Sequence, residues 1–187
     1  MSAFDACRQV EKCGMEDIIK FLRMHAHEGQ FVLTDKGTLA MELQKSVGDA
    51  LMNTEDGRAW GVEVKIEEEN KYGNFFFETW SNLSRHTPGW MFTLKSDLLL
   101  YYFKKEGELF CMRIDSVKRW AFTNRNIYKF PERPQAKYDQ KNDTWGRCVP
   151  IQIIGAEVGF KKYWMHEPTP EQVRDYPSTL FGGGSNG

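Results

Sequence analysis

The segment Met15–Ala26 (MEDIIKFLRMHA) carries apolar side chains at positions 18, 19, 21, 22 and 26, with Glu16 and Asp17 near its start. That spacing gathers the apolar groups on one side of a 3.6-residue helix, so the pattern predicts an amphipathic helix that Gly29 ends. Gln30–Leu33 follows as a short extended piece. Thr38–Val47 (TLAMELQKSV) is helical again, with Thr38 as its N-cap. From residue 49 the period changes. Asp49–Asn53 and Arg58–Ile66 read as extended segments around the turn Thr54–Gly57, and the alternation of Val62, Val64 and Ile66 marks a strand with one buried face.

Further strands are predicted at Asn74–Thr79, at Met91–Leu94 and Leu98–Phe103 around a Lys95-Ser96-Asp97 break, and at Leu109–Ile114. Asp115–Phe122 reads as a helix. Residues 123–147 are polar, with prolines and scattered aromatics, and read as a long loop or arm. Val149–Ile154 reads as a last strand, and Val158–Trp164 as an extension of the sheet. The order implies an α/β or α+β fold, a mixed central sheet flanked by helices. It forms one domain over residues 1–180, with its core at about 36–165 and a flexible Gly-rich tail at 181–187.

Composition changes this picture little. Hydrophobic residues make up 41% of the 187 and charged residues 27%, ordinary values for a globular chain. No apolar run approaches the ~20 residues that a bilayer crossing needs, and no secretory signal pattern opens the chain. The expected location is intracellular, in the cytoplasm. Cys7, Cys13, Cys111 and Cys148 form no C-x-x-C pair and no Cys/His arrangement at metal or catalytic spacing, so reduced structural thiols are expected. Charge adds more. Residues 1–103 hold 11 basic and 16 acidic side chains, whereas residues 104–147 hold 11 basic and 6 acidic. An acidic half beside a basic segment suits a metal site next to a phosphate-binding surface; a solvated basic loop is the plainer alternative.

The chemistry centres on Asp49 and on Glu63-Val64-Lys65. Residues two apart on a strand share a face, so Glu63 and Lys65 project together while Val62, Val64 and Ile66 point the other way. Glu55-Asp56-Gly57 suits a three-residue hairpin loop with glycine in the left-handed position. That loop pairs Thr54 with Arg58, and counting back sets Asp49 opposite Glu63. A two-residue Asp-Gly turn would instead pair Asp49 with Val64 and break the site. Two carboxylates at one cross-strand spacing repel each other, and a hard divalent cation relieves this through oxygen coordination, with the Val64 backbone carbonyl as a further ligand. Such a cation polarises a phosphoryl oxygen and acidifies water, while Lys65 assists the nucleophile and stabilises developing charge. A salt-bridged exposed strand would show the same three residues.

The run GDALMNTEDGRAWGVEVKIEE resembles the hairpin of the PD-(D/E)XK nuclease superfamily, where an acid opens one strand and E-x-K lies in the next. The wider stretch Lys36–Phe103, with FFFETWSN, PGW and KSDLLLYYF, is similar to small phage and bacterial members, resolvase-like proteins among them. The resemblance implies a restriction-endonuclease-like core and Mg²⁺- or Mn²⁺-dependent hydrolysis of DNA phosphodiester bonds. Asp49, Glu63 and Lys65 would be the catalytic set, and a homodimer is a frequent assembly. It also implies a helix glutamate, Glu42, as an additional metal ligand. Glycine precedes the first acid here where the family motif has proline. The rival function is a nucleic-acid- or protein-binding module on the same fold, for which a metal-free Asp49–Lys65 ion pair would speak.

Other residues matter less to the argument. Gln44, Lys45 and Lys95 are candidate phosphate contacts, and Glu78 shares a strand face with Phe76 near the motif. Trp80, Trp90, Trp120, Trp145 and Trp164 are mostly core candidates, with stacking on a base from within the basic segment as the lesser alternative for Trp145. His25 and His27 suit a helix end, and Glu67, Glu68 and Glu69 read as a solvated run.

Overall fold

The first helix buries the stripe its sequence announces. Helix α1 (Ala3–His25) turns Ile18, Phe21 and Leu22 inward, and a short 3-10 turn at His27–Gly29 ends it. In this computed structural model the described residues are 3–34, 44, 46–135 and 143–167, with residues 3–8 described by their backbone alone. Among the described residues no helix is long and apolar enough to cross a membrane.

The chain is a mixed α/β fold. Strands β1 (Phe31–Leu33), β2 (Ala50–Asn53), β3 (Ala59–Glu67), β6 (Leu98–Phe103), β7 (Glu108–Arg113) and β10 (Lys161–Trp164) form a six-stranded sheet in the order β1-β2-β3-β6-β7-β10. The β3–β6 pair is parallel, and the other pairs are antiparallel, so the sheet is mixed. A second, antiparallel sheet has the order β5-β4-β9-β8, from β4 (Asn74–Asn82), β5 (Thr87–Pro88), β8 (Arg133–Pro134) and β9 (Trp145–Pro150). Helices α2 (Trp90–Thr93), α3 (Ile114–Ala121), α4 (Asn124–Lys129) and α5 (Ile151–Glu157) fill the connections.

Two hydrophobic layers follow from the two faces of the large sheet. On one face α1 packs against Val62, Val64, Leu100, Tyr102 and Leu109. On the other, Leu99, Tyr101, Phe103, Phe110 and Met112 meet Phe75 and Phe77 of the small sheet. The parallel register sets Glu63 level with Leu99, Lys65 with Tyr101 and Glu67 with Phe103. Neighbours level across a ladder share a face, so Glu63, Lys65 and Glu67 point toward the small sheet while Val62 and Val64 point toward α1.

Several expectations need correction. Met91–Leu94 is not a strand, because Trp90–Thr93 is a helical turn with Trp90 and Met91 buried. Residues 123–147 are not one loop: Thr123 caps α4 by accepting the Asn126 N–H, and Trp145 lies in β9. The strand read at Val149–Ile154 ends at Pro150, and Ile151 starts α5. Proline pre-set just before a helix is a familiar helix-start signal, and the apolar run Ile151–Ile154 hid the change of period. The expected single sheet is two. The expected helix Thr38–Val47 lies mostly outside the described residues, as does the tail 181–187; Gln44, Ser46 and Val47 are helical.

Candidate active site on the open edge of β3

Gly48 shapes the entry to the site. Its N–H closes on the Gln44 carbonyl at 2.9 Å, and its φ of 92° is the left-handed conformation that ends many helices. Proline is locked near −65° and could not take this shape, which accounts for glycine standing before Asp49. A Cβ here would lie 2.5 Å from the Val62 carbonyl oxygen. The helix therefore stops, and the chain turns into β2 with Asp49 at its mouth.

The hairpin turn is the three-residue one. Thr54 N–H donates to the Arg58 carbonyl at 2.9 Å, and Gly57 has φ 75°. Strand pairs run from Asn53 with Ala59 to Ala50 with Val62, and one further step sets Asp49 level with Glu63. Because β2 begins at Ala50, no strand among the described residues pairs with this edge of β3 beyond Val62. There the Asp49 carboxylate acts as a ladder partner: its Oδ2 accepts the Val64 N–H at 2.8 Å. A strand residue's N–H and carbonyl point to the same side, so the Val64 carbonyl is also directed to this edge. Gln44 holds the other oxygen, donating to Asp49 Oδ1 at 2.7 Å.

Glu63 is only 7% exposed. Lys65 Nζ donates to its Oε1 at 2.5 Å and lies 5.7 Å from the Trp90 ring centre. Burial pushes the Glu63 carboxyl above its ordinary range. The charges of Asp49 and Glu78 push the same way, while Lys65 pulls against them. A cleft of about 440 Å³ opens here, lined by Glu11 and Met15 of α1 together with Gln44, Asp49, Glu63 and Lys65. A larger cavity of about 520 Å³ shares none of these residues, and its lining contains no carboxylate.

The structure thus brings Asp49, Glu63, Lys65 and the Val64 backbone together, with the exposed Gln44 donating to Asp49. Lys95 is exposed after α2. Glu42 and Lys45 lie outside the described residues. Among the described residues no group of three His, Cys, Asp or Glu side chains converges in a metal-holding cluster. What the cleft offers is hard oxygen donors: the carboxylates of Asp49 and Glu63, with Glu11 also in the lining, and the Val64 carbonyl. A divalent cation would complete its shell there with water, as Mg²⁺ commonly does. The alternative Asp49–Lys65 pair is not the one formed, since Lys65 is paired with Glu63. Burial pushes the Cys111 thiol up to about 11 and raises Cys148 as well, which disfavours thiolate chemistry at these two positions.

Three participants were not legible as such. Trp90 was assigned to the core and is buried, but it also faces Lys65. Glu11 lies outside the stretch whose helical pattern was read. Glu78, expected on a face with Phe76, acts on Glu63 across the gap between the sheets. Glu67 is not simply solvated, because it accepts a hydrogen bond from the buried Tyr101 hydroxyl. Comparison with protein-family models, with curated proteins and with solved structures gave no match.

Proposed function

We propose that the protein is a Mg²⁺- or Mn²⁺-dependent nuclease that hydrolyses DNA phosphodiester bonds on a restriction-endonuclease-like core of the PD-(D/E)XK kind. The observation that carries the proposal is the Asp49 carboxylate on the N–H of Val64, which lies between Glu63 and Lys65 on β3, with Lys65 paired to Glu63. Burial raises the Glu63 carboxyl, Lys65 opposes that rise and the charges of Asp49 and Glu78 add to it, so a further cation among these carboxylates would be favourable.

Asp49, Glu63 and the Val64 carbonyl are the groups that would hold the cation. When bound, the cation would polarise a phosphoryl oxygen and acidify water. Gln44 orients Asp49, so its amide is a positioning group. Lys65, held on a rigid strand between Glu63 and the Trp90 ring, brings a fixed positive charge. Its part is to orient the attacking oxygen and to stabilise charge developing on the phosphoryl group. Lys95 and the basic segment supply phosphate contacts. DNA is the partner, and a homodimer is the assembly that the resemblance implies.

The test is cleavage of labelled single-stranded, duplex and branched DNA with Mg²⁺, Mn²⁺ or EDTA, with Lys65→Ala alongside. Metal-dependent cutting that falls by about a hundredfold or more in Lys65→Ala is expected, the size typical of losing one charge-stabilising group. If no substrate is cut with either metal while both proteins bind DNA equally, the nuclease reading is wrong and a binding module replaces it.

A further inference from the structure

We infer that the protein stacks unpaired bases of a nucleic-acid strand on an exposed aromatic row centred on Phe92, beside the carboxylate cleft. The inference rests on the nuclease reading for the kind of ligand and on α2 for its place. The two ends of this one-turn helix face different ways. Trp90 points inward, edge-on to Phe77 at 5.8 Å and against Lys65. Phe92, two residues on and so on the opposite side of the helix, is 51% exposed. The row lies across α2 from Trp90, whose ring is itself 5.7 Å from Lys65 Nζ.

Phe92 is not an isolated exposed ring, which alone would need no explanation. It stacks on Phe122 at 4.9 Å and 30° and sits 6.3 Å from Trp80. His86 meets Trp80 edge-on at 6.4 Å. The row is braced from behind. The Arg147 guanidinium lies 5.6 Å from the Phe122 ring and donates to the Ala121 carbonyl at 2.8 Å. Lys118 Nζ donates to the Leu94 carbonyl, tying α2 to α3. Trp80 Nε1 donates to Glu132, whose charge faces Arg147 at 3.7 Å. A rigid aromatic surface loses little freedom when it binds.

Charge selects the occupant. Lys95 lies three residues beyond Phe92 and is exposed, so an exposed cation stands beside the centre of the row; Lys118 is turned to the Leu94 carbonyl, and Glu132 on Trp80 is paired with Arg147. Aromatic platforms beside cations suit a single strand, whose bases offer π faces and whose phosphates follow the positive charge; paired bases within a duplex do not offer those faces. The ligand class is therefore unpaired DNA next to the scissile bond: a single strand, flap or gap.

The experiment measures fluorescence anisotropy in EDTA, with labelled oligothymidine and a duplex of equal length, on the wild type, Phe92→Ala and Phe92→Trp. Phe92→Ala is expected to weaken oligothymidine binding about tenfold while duplex binding changes less than about twofold. Phe92→Trp is expected to bind the single strand as the wild type does, which controls for folding. Equal losses on both ligands, unchanged single-strand binding, or a wild type that does not bind oligothymidine would each overturn the inference. So would conversion of a dimer to a monomer by Phe92→Ala in sedimentation, because the face would then be an interface between copies. Duplex cutting with no Phe92 dependence sinks this inference alone, whereas Phe92-dependent strand binding without cutting under any metal sinks the nuclease reading alone.

Discussion

Replacing Glu63 with glutamine keeps the shape of a side chain that is 7% exposed and removes a charge that its surroundings resist. Burial raises the carboxyl, and Asp49 and Glu78 add to the rise against the pull of Lys65. The sign follows from linkage. A glutamate whose folded value lies above its unfolded one favours the fold while protonated. That contribution is present below the unfolded value and is lost as pH rises through the folded one. In EDTA at neutral pH, Glu63→Gln should therefore be more stable than the wild type, by about 1 kcal/mol, a rise of about 2–4 °C in Tm for a chain of this size. The decline of wild-type stability just above the ordinary glutamate range should be absent from the variant. A saturating divalent cation reverses the order. At a hundredfold excess over Kd it adds about 2.7 kcal/mol to the wild type, or roughly 5–10 °C, and most of that gain should be missing from Glu63→Gln. Differential scanning calorimetry with EDTA, Mg²⁺ and Mn²⁺ over a pH series reads both effects. An equal cation shift in the two proteins, or no saturable shift in the wild type, would refute the argument that these carboxylates form a cation site.

Two further substitutions test the entry to the site and the far edge of the large sheet. Gly48→Ala forces a side chain into a left-handed φ and within 2.5 Å of the Val62 carbonyl oxygen, so a loss of at least about 1–3 kcal/mol is expected in urea unfolding; stability equal to wild type would mean that this helix end is not the one described. Lys162 and Glu108 form an ion pair at 2.6 Å with side chains 4% and 6% exposed, and Lys162→Ala leaves the buried carboxylate without its cation. Unfolding should then cost about 3–5 kcal/mol less, and a change below about 1 kcal/mol would show that water reaches the pair.

Local chemistry in the sequence determined the elements around the site. Apolar spacing was enough for the inner face of α1, and alternation was enough to place Val62 and Val64 on one side of β3 and Glu63 and Lys65 on the other. Glu55-Asp56-Gly57 was enough for the turn, hence for the register that pairs Ala50 with Val62. These are short-range constraints, each settled within a few residues by sterics and side-chain period. Long-range pairing is another matter. That the strands divide into two sheets, that β3 runs parallel to β6, and that Glu78 reaches Glu63 from the second sheet depend on which apolar faces meet. The aromatic-rich run from Phe75 to Phe110 offers many similar faces to choose from. Short apolar runs also carry no distinguishing period, so Met91–Leu94 and Ile151–Ile154 were read as strands. Burial of Trp90 and Met91, and the proline before Ile151, made them helical. The open edge of β3 was decided last, by β2 beginning at Ala50, because an unpaired Val64 N–H is what the Asp49 carboxylate answers.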